Sequence, residues 1–252
     1  MNTPSKAGTI LALSVLGLLA LAARPASAAD AACAFRGALD EAYCDANRDI
    51  AADAPTDAAK LRDPSTIVFT YTPVEDPALY ASQFKPFLEH LSQCTGKRAV
   101  YFQVTSNAAQ VEAMRSGRLH VAGFSTGPTA LAVNLAGAVP FAVKGNADGF
   151  ESYRVALLFK ADSPYKTLAD LKGKRVAHTS ATSNSGNLAP RAFFSGLGLT
   201  PEKDYQVVYS GGHDRSVMGV NAGDYDAAPV ASDVWTRMVA RGQVKRDAFR
   251  VI

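Results

Sequence analysis

KGKRVAHTSATSNSGNLAPRAFF, residues 172–194, decides how the rest of the chain is read. A Gly173 turn precedes Arg175-Val176-Ala177, a short run of strand character. Pro190-Arg191-Ala192-Phe193-Phe194 reads as the first turns of a helix, where a proline is tolerated because its missing N–H would have had no partner. Between them stand Thr179, Ser180, Thr182, Ser183, Asn184, Ser185, Gly186 and Asn187, nearly all small and bearing hydroxyls or amides. A strand feeding a helix through such a loop gathers free backbone N–H groups, a positive helix end and several O–H donors at one point. That is the chemistry of an oxyanion site. The same residue types cap helices that bind nothing, so the stretch alone leaves both readings open.

Outward from it, the same unit recurs. On the N-terminal side, residues 153–160 read as a strand and 168–171 as a short helix. On the C-terminal side come a helix over 189–197 stopped by Gly198, a strand over 205–209, and the loop Ser210-Gly211-Gly212-His213-Asp214. A helix over 215–222, a strand over 226–230 and a helix over 232–241 complete this half. The first half follows the same order. Strands are expected at 65–71, 98–104 and 119–124, and one amphipathic helix at 78–95 with Leu79, Phe84, Phe87, Leu88 and Leu91 on its apolar side and Gly96 closing it. Helices at 107–116 and 130–136 follow the second and third strands, the last across the small-residue loop Ser125-Thr126-Gly127-Pro128-Thr129.

Strands alternating with helices predict an α/β chain of mainly parallel sheets with crossover helices. Ligands in such sheets sit beyond the carboxyl ends of the strands. Loops 125–129 and 179–187 both fall there, which favours binding over capping. Two similar units joined near 140–152 predict two lobes, 65–147 and 148–252, with a cleft between them.

Before the first strand the chain has another character. Lys6, the apolar run 10–23, the Arg24-Pro25 break and Ala26-Ser27-Ala28 predict a secretory signal peptide over 1–28. Asp30 rules against a lipoprotein anchor at Cys33, which wants an apolar residue three positions earlier. Without Lys6 and Arg24 the formal net charge falls from +3 to +1, a balance that argues for neither nucleic acid nor an acidic membrane surface. Residues 29–64, rich in Ala and Asp, read as an extension outside the core. In an oxidising compartment, Cys33 and Cys44 flank a helical-looking segment and are expected to pair; Cys94, left over, is expected buried and inert. No two of the four histidines lie at ligand spacing near these thiols, so no metal is expected.

The order of segments resembles the type II periplasmic solute-binding proteins of ABC importers, and more narrowly the phosphate/phosphite/phosphonate-binding family. The resemblance rests on FTYTPVEDP (69–77), GPTA (127–130), LLFKADSPYKTLADLKGKRVA (157–177), TSNSGNLAPR (182–191), GGHD (211–214) and GDYDAA (223–228). It implies a two-lobed periplasmic protein, free of the membrane after signal cleavage, that captures a small phosphorus oxyanion such as a phosphonate or phosphite. It also implies delivery to a membrane permease, with no cofactor and no catalysis.

Position by position, the resemblance puts Ser183, Asn184 and Ser185 where Ser-Thr-Ser is usual, Tyr153 at the opening of the crossing strand, His213 at the ligand histidine and Asp233 at a carboxylate. Asp233, an acceptor only, would favour a protonated oxyanion over a fully ionised one. Thr126, Asn107 and Glu75 are secondary candidates, and Glu75-Asp76 is read first as a cap for the following helix. Asn184 departs from the usual Thr, and Asn107 stands where a Tyr is frequent. The family continues past Arg250-Val251-Ile252, which read as a strand returning to the first lobe, so the chain is expected to stop short. A sensory binding domain and a serine hydrolase using Ser183 or Ser185, His213 and Asp214 or Asp226 are the rival classes. The second lacks a Gly-x-Ser-x-Gly elbow.

Overall fold

In the computed structural model the described residues are Cys33–Ile252, and the expected signal peptide at 1–28 lies outside them. Two sheets carry residues 34–252, which form one compact unit. The first has the order β2-β1-β3, built from β1 (Thr66–Tyr71), β2 (Arg98–Tyr101) and β3 (Val121–Gly123), all parallel. A two-residue hairpin, β4 (Gly145–Asn146) with β5 (Gly149–Phe150), follows in the connection. The second sheet has the order β10-β6-β9-β7-β8, from β6 (Val155–Lys160), β7 (Arg175–His178), β8 (Gln206–Tyr209), β9 (Ala227–Ala231) and β10 (Phe249–Val251). Only β6 runs against its neighbours, so the mainly parallel expectation holds.

Both faces of the second sheet are covered, which is why its strands are apolar without alternation. Leu158 and Val230 pack with Val217, Val220, Val234, Trp235 and Met238 on one side. Leu157, Phe159 and Val176 pack with Leu171, Leu199 and Tyr205 on the other. The helices of the first group are α6 (His213–Ala222) and α7 (Ser232–Ala240).

Four expectations change on folding. The helix over 78–95 is two, α1 (Ala78–Gln83) and α2 (Lys85–Thr95), with Phe84 between them at φ −90°, ψ 1°. Pro86 causes the break, because it cannot donate to the carbonyl of Ser82 and its ring collides there. Cys94 is exposed on α2, which buries none of its residues, and its Sγ lies 3.4 Å from His90 Nε2. Cys33 and Cys44 are disulfide-bonded, but the segment between them folds as turns, closed by Leu39 N–H to Arg36 O and Tyr43 N–H to Asp40 O at 3.1 and 3.0 Å. That extension also reaches the core: Leu39 is buried, and Asp40 N–H donates to Asn134 O of α4 (Thr126–Ala136). Beyond these four changes, Arg250 and Val251, read as the start of a strand, lie in β10 and pair with Phe159 and Leu158 at the edge of the second sheet.

Candidate functional site

The stretch 179–188 owes its shape to two residues. Pro190 has no N–H for the carbonyl of Gly186, and Thr179 N–H supplies the bond instead at 3.2 Å. A β-carbon on Gly186 would stand 1.5 Å from Thr179 Oγ1, so only glycine allows this approach. The result is a π-helical turn, Asn184–Leu188, leading into α5 (Ala189–Phe193). Single π turns recur at functional sites. Ser183 caps it, its Oγ accepting from Gly186 N–H at 3.2 Å. The hydroxyl proton of Ser183 is thereby left to donate elsewhere.

His213 opens α6 after Gly212 and is buried. Its Nδ1 accepts from Ala231 N–H at 3.2 Å. Burial is the main cause that pushes its pKa down to about 4, against the opposing pull of Asp233. A neutral imidazole with Nδ1 accepting must carry its proton on Nε2. That nitrogen lies 3.5 Å from Ser183 Oγ and 3.4 Å from Ser185 Oγ. Three buried donors therefore converge without a single positive charge. The same tautomer removes the hydrolase reading, because Nε2–H cannot take a proton from either serine and no carboxylate orients Nδ1.

These groups border a cavity of about 990 Å³. Asn107, Thr126, Tyr153, Ser183, Asn184, Ser185, His213 and Asp233 all line it, although they come from six separate elements and connections. Tyr153 accepts from Asn184 Nδ2 at 3.3 Å. Asn107, the first residue of α3 (Asn107–Arg115), accepts from Thr72 Oγ1 at 2.9 Å and donates to Thr182 Oγ1 at 3.1 Å, tying one sheet's loops to the other's. Thr126 begins α4, so the expected loop 125–129 is already helix. A β-carbon on Gly127 would meet Thr182 O at 2.6 Å, so this helix start touches the serine loop directly.

The starts of α4, α6 and α7 all border the cavity without a side-chain cap. Uncapped helix starts present positive potential, although the first N–H of α6 donates to Val74 O and that of α7 to Arg154 O. The charges balance: Lys144 is paired with Glu151 at 2.7 Å, and Asp233 with Arg237 at 2.7 Å. Among the described residues bordering the cavity, Lys144 is the only lysine or arginine. Sequence reading missed Lys144 and the aromatic wall of Phe69, Tyr71, Phe84 and Phe87, because no local pattern distinguishes a lining aromatic from a core one.

Glu75 is not at the cavity. Its carboxylate, 2% exposed, accepts from Arg237 Nε at 3.1 Å and Arg241 Nη1 at 2.8 Å. Asp76 is the residue that caps, accepting from Ala78 N–H at 3.0 Å. Among the described residues, no group of His, Cys, Asp and Glu is arranged to hold a metal ion, and no helix is long and apolar enough to cross a membrane.

The chain resembles known proteins over most of its length. A family model described as the periplasmic substrate-binding protein of ABC phosphonate transporters matches residues 69–252. The phosphate-import protein PhnD of Mycolicibacterium smegmatis is 28% identical over 216 residues, covering 79% of this chain and 66% of that protein. A binding-protein component of an ABC phosphonate transporter from Pseudomonas aeruginosa has the same fold, with a TM-score of 0.69 at 24% identity over 75% of this chain and 65% of that one. PhnD1 from Prochlorococcus marinus, solved with methylphosphonate, gives 0.64 at 19% identity over 75% and 72%. The chain thus spans about two thirds of the length of the first two relatives, 66% and 65%.

Proposed function

We propose a function from one premise: the chain belongs to the periplasmic substrate-binding proteins of ABC phosphonate transporters. It works in the periplasm, captures a small phosphorus oxyanion (a phosphonate, phosphite or related ion) and delivers it to a membrane permease. The ligand sits between two lobes, 65–147 and 148–252, with its oxygens on Ser183, Ser185, His213 and the helix start at Asn184. Tyr153 and Thr126 border it, and Asp233 offers an acceptor. Asn107 holds the lobes together over it.

The observation that carries this reading is the His213 tautomer. Ala231 N–H occupies Nδ1, so Nε2–H is aimed at the two serine hydroxyls. Neutral donors in a buried site bind an oxyanion through hydrogen bonds to its charge, each about 1.5–3 kcal/mol. Ser183→Ala with Ser185→Ala is expected to weaken binding by at least about a hundredfold on that scale, with the circular dichroism unchanged. Calorimetry against phosphate, phosphite, hypophosphite, methylphosphonate and aminoethylphosphonate measures it. Equal affinity in the wild type and the double variant would sink the site assignment.

A further inference from the structure

Arg237 stands behind the cavity, not on it. Its Nη1 donates to Asp233 Oδ2 at 2.7 Å, one helical turn away on α7. Its other edge meets Glu75, Nε and Nη2 both 3.1 Å from Oε1. Arg241 takes the second oxygen of Glu75 at 2.8 Å, and the Tyr80 hydroxyl lies 3.3 Å from Oε1. One guanidinium therefore bridges a carboxylate that borders the cavity and a carboxylate that is almost wholly buried. The planar fork of arginine suits this double task, whereas a lysine ammonium is a point charge.

We propose that Arg237 sets the charge of the oxyanion that the site accepts, by neutralising Asp233 while Glu75 holds the guanidinium in place. This rests on the reading that a phosphorus oxyanion occupies the cavity. A bare Asp233 carboxylate beside the ligand would demand a proton between them and repel a doubly ionised oxyanion. Paired with Arg237, its charge is offset and its other oxygen still accepts. The site then takes singly and doubly ionised ligands with similar affinity.

The neighbouring groups leave this balance intact. From α7, Asp233 faces Arg237, and from the residue just after that helix, Arg241; from the loop after β1, Glu75; and from α1, Tyr80, whose hydroxyl burial and Glu75 keep protonated. From α6, His213 is neutral for the reasons given above. Asp214, its carboxyl pushed upward by burial, lies near Glu75. Two guanidinium groups thus face the two carboxylates Glu75 and Asp233.

The test is calorimetry with methylphosphonate on either side of its second ionisation. The wild type is expected to change affinity by less than about threefold across it. Arg237→Gln is expected to keep the singly ionised ligand and to lose on the order of ten- to a hundredfold for the doubly ionised one, as a like charge at contact range requires. Asp233→Asn combined with Arg237→Gln restores the flat profile. Arg237→Lys, which keeps the charge without the fork, must also stay flat even where overall affinity drops; should Arg237→Gln fail to fold, Asp233→Asn decides the matter, because the unopposed Arg237 must then favour the doubly ionised ligand. A profile for Arg237→Gln parallel to the wild type, or a steep one for Arg237→Lys, overturns the proposal. Wild-type protein that binds none of methylphosphonate, phosphite or phosphate in either condition overturns the functional reading and this proposal with it.

Discussion

In the second sheet every residue of β9 is buried, and Leu158, Phe159, Val176 and Ala177 expose no surface. In the first sheet, β2 has no buried residue and neither does α2 beside it. The aromatic side chains there, Phe69, Phe84, Phe87 and Tyr101, pack on one another at centroid distances of 4.9–6.5 Å, yet Phe87 remains 38% exposed. The serines, His213 and Asp233 hang on strand ends of the sheet with both faces covered. Oxyanion donors must hold their geometry to within about half an ångström to be useful, and close-packed strands deform least. The first sheet contributes Asn107, which donates to Thr182 Oγ1, and the start of α4, where Gly127 lies against Thr182 and Asn184.

That contrast can be broken by paired substitutions. Phe159→Ala, in the fully covered sheet, is expected to cost about 3–5 kcal/mol in urea unfolding. Phe87→Ala is expected to cost less, about 1–2 kcal/mol, since more than a third of its surface stays in water. Equal losses would show that the two sheets are packed alike.

Acid should act on the second sheet's side of the site. The His213 pKa is depressed to about 4 by burial, and that of His178 is lowered, first by burial, within its bonds to Asn187 and Tyr205. The unfolded chain holds more protons than the folded one below the ordinary histidine value. Stability is therefore full above about pH 6.5 and falls as pH drops toward about 4, by up to roughly 3 kcal/mol for His213. His213→Gln should flatten part of that slope in unfolding measured across a pH series, and an unchanged slope would contradict the burial argument.

The smallest effect belongs to α2. Cys94→Ser is expected to alter stability by less than about 0.5 kcal/mol, as exposed positions do. The wild-type thiol should react with a disulfide reagent under native conditions at the rate of a small-molecule thiol. Protection from the reagent would mean that something covers this face of the helix.

How far the sequence could be read depended on the range of the interaction. The element order was legible because each strand is a short apolar run and each main helix ends at a glycine, as at Gly96, Gly137, Gly198 and Gly223, all at positive φ. The serine loop was legible because its donors are neighbours in the chain. Local composition misled where a short segment had two acceptable conformations: turns won over helix between Cys33 and Cys44, and Pro86 split one helix into two.

What the sequence by itself determined is therefore an α/β chain with hydroxyl-rich loops at strand ends, since these follow from periodicity and from the donors each residue carries. Tertiary structure alone decided which donors meet, which nitrogen of His213 keeps its proton, and what Glu75 does. Glu75 and Arg237 lie 162 residues apart, and no local pattern encodes such a pairing. For the same reason the stretch 172–194 could be read as a hydroxyl-rich strand-to-helix loop without revealing the charge balance behind it. That balance depends on Coulomb forces between groups that become neighbours only after the sheets have formed.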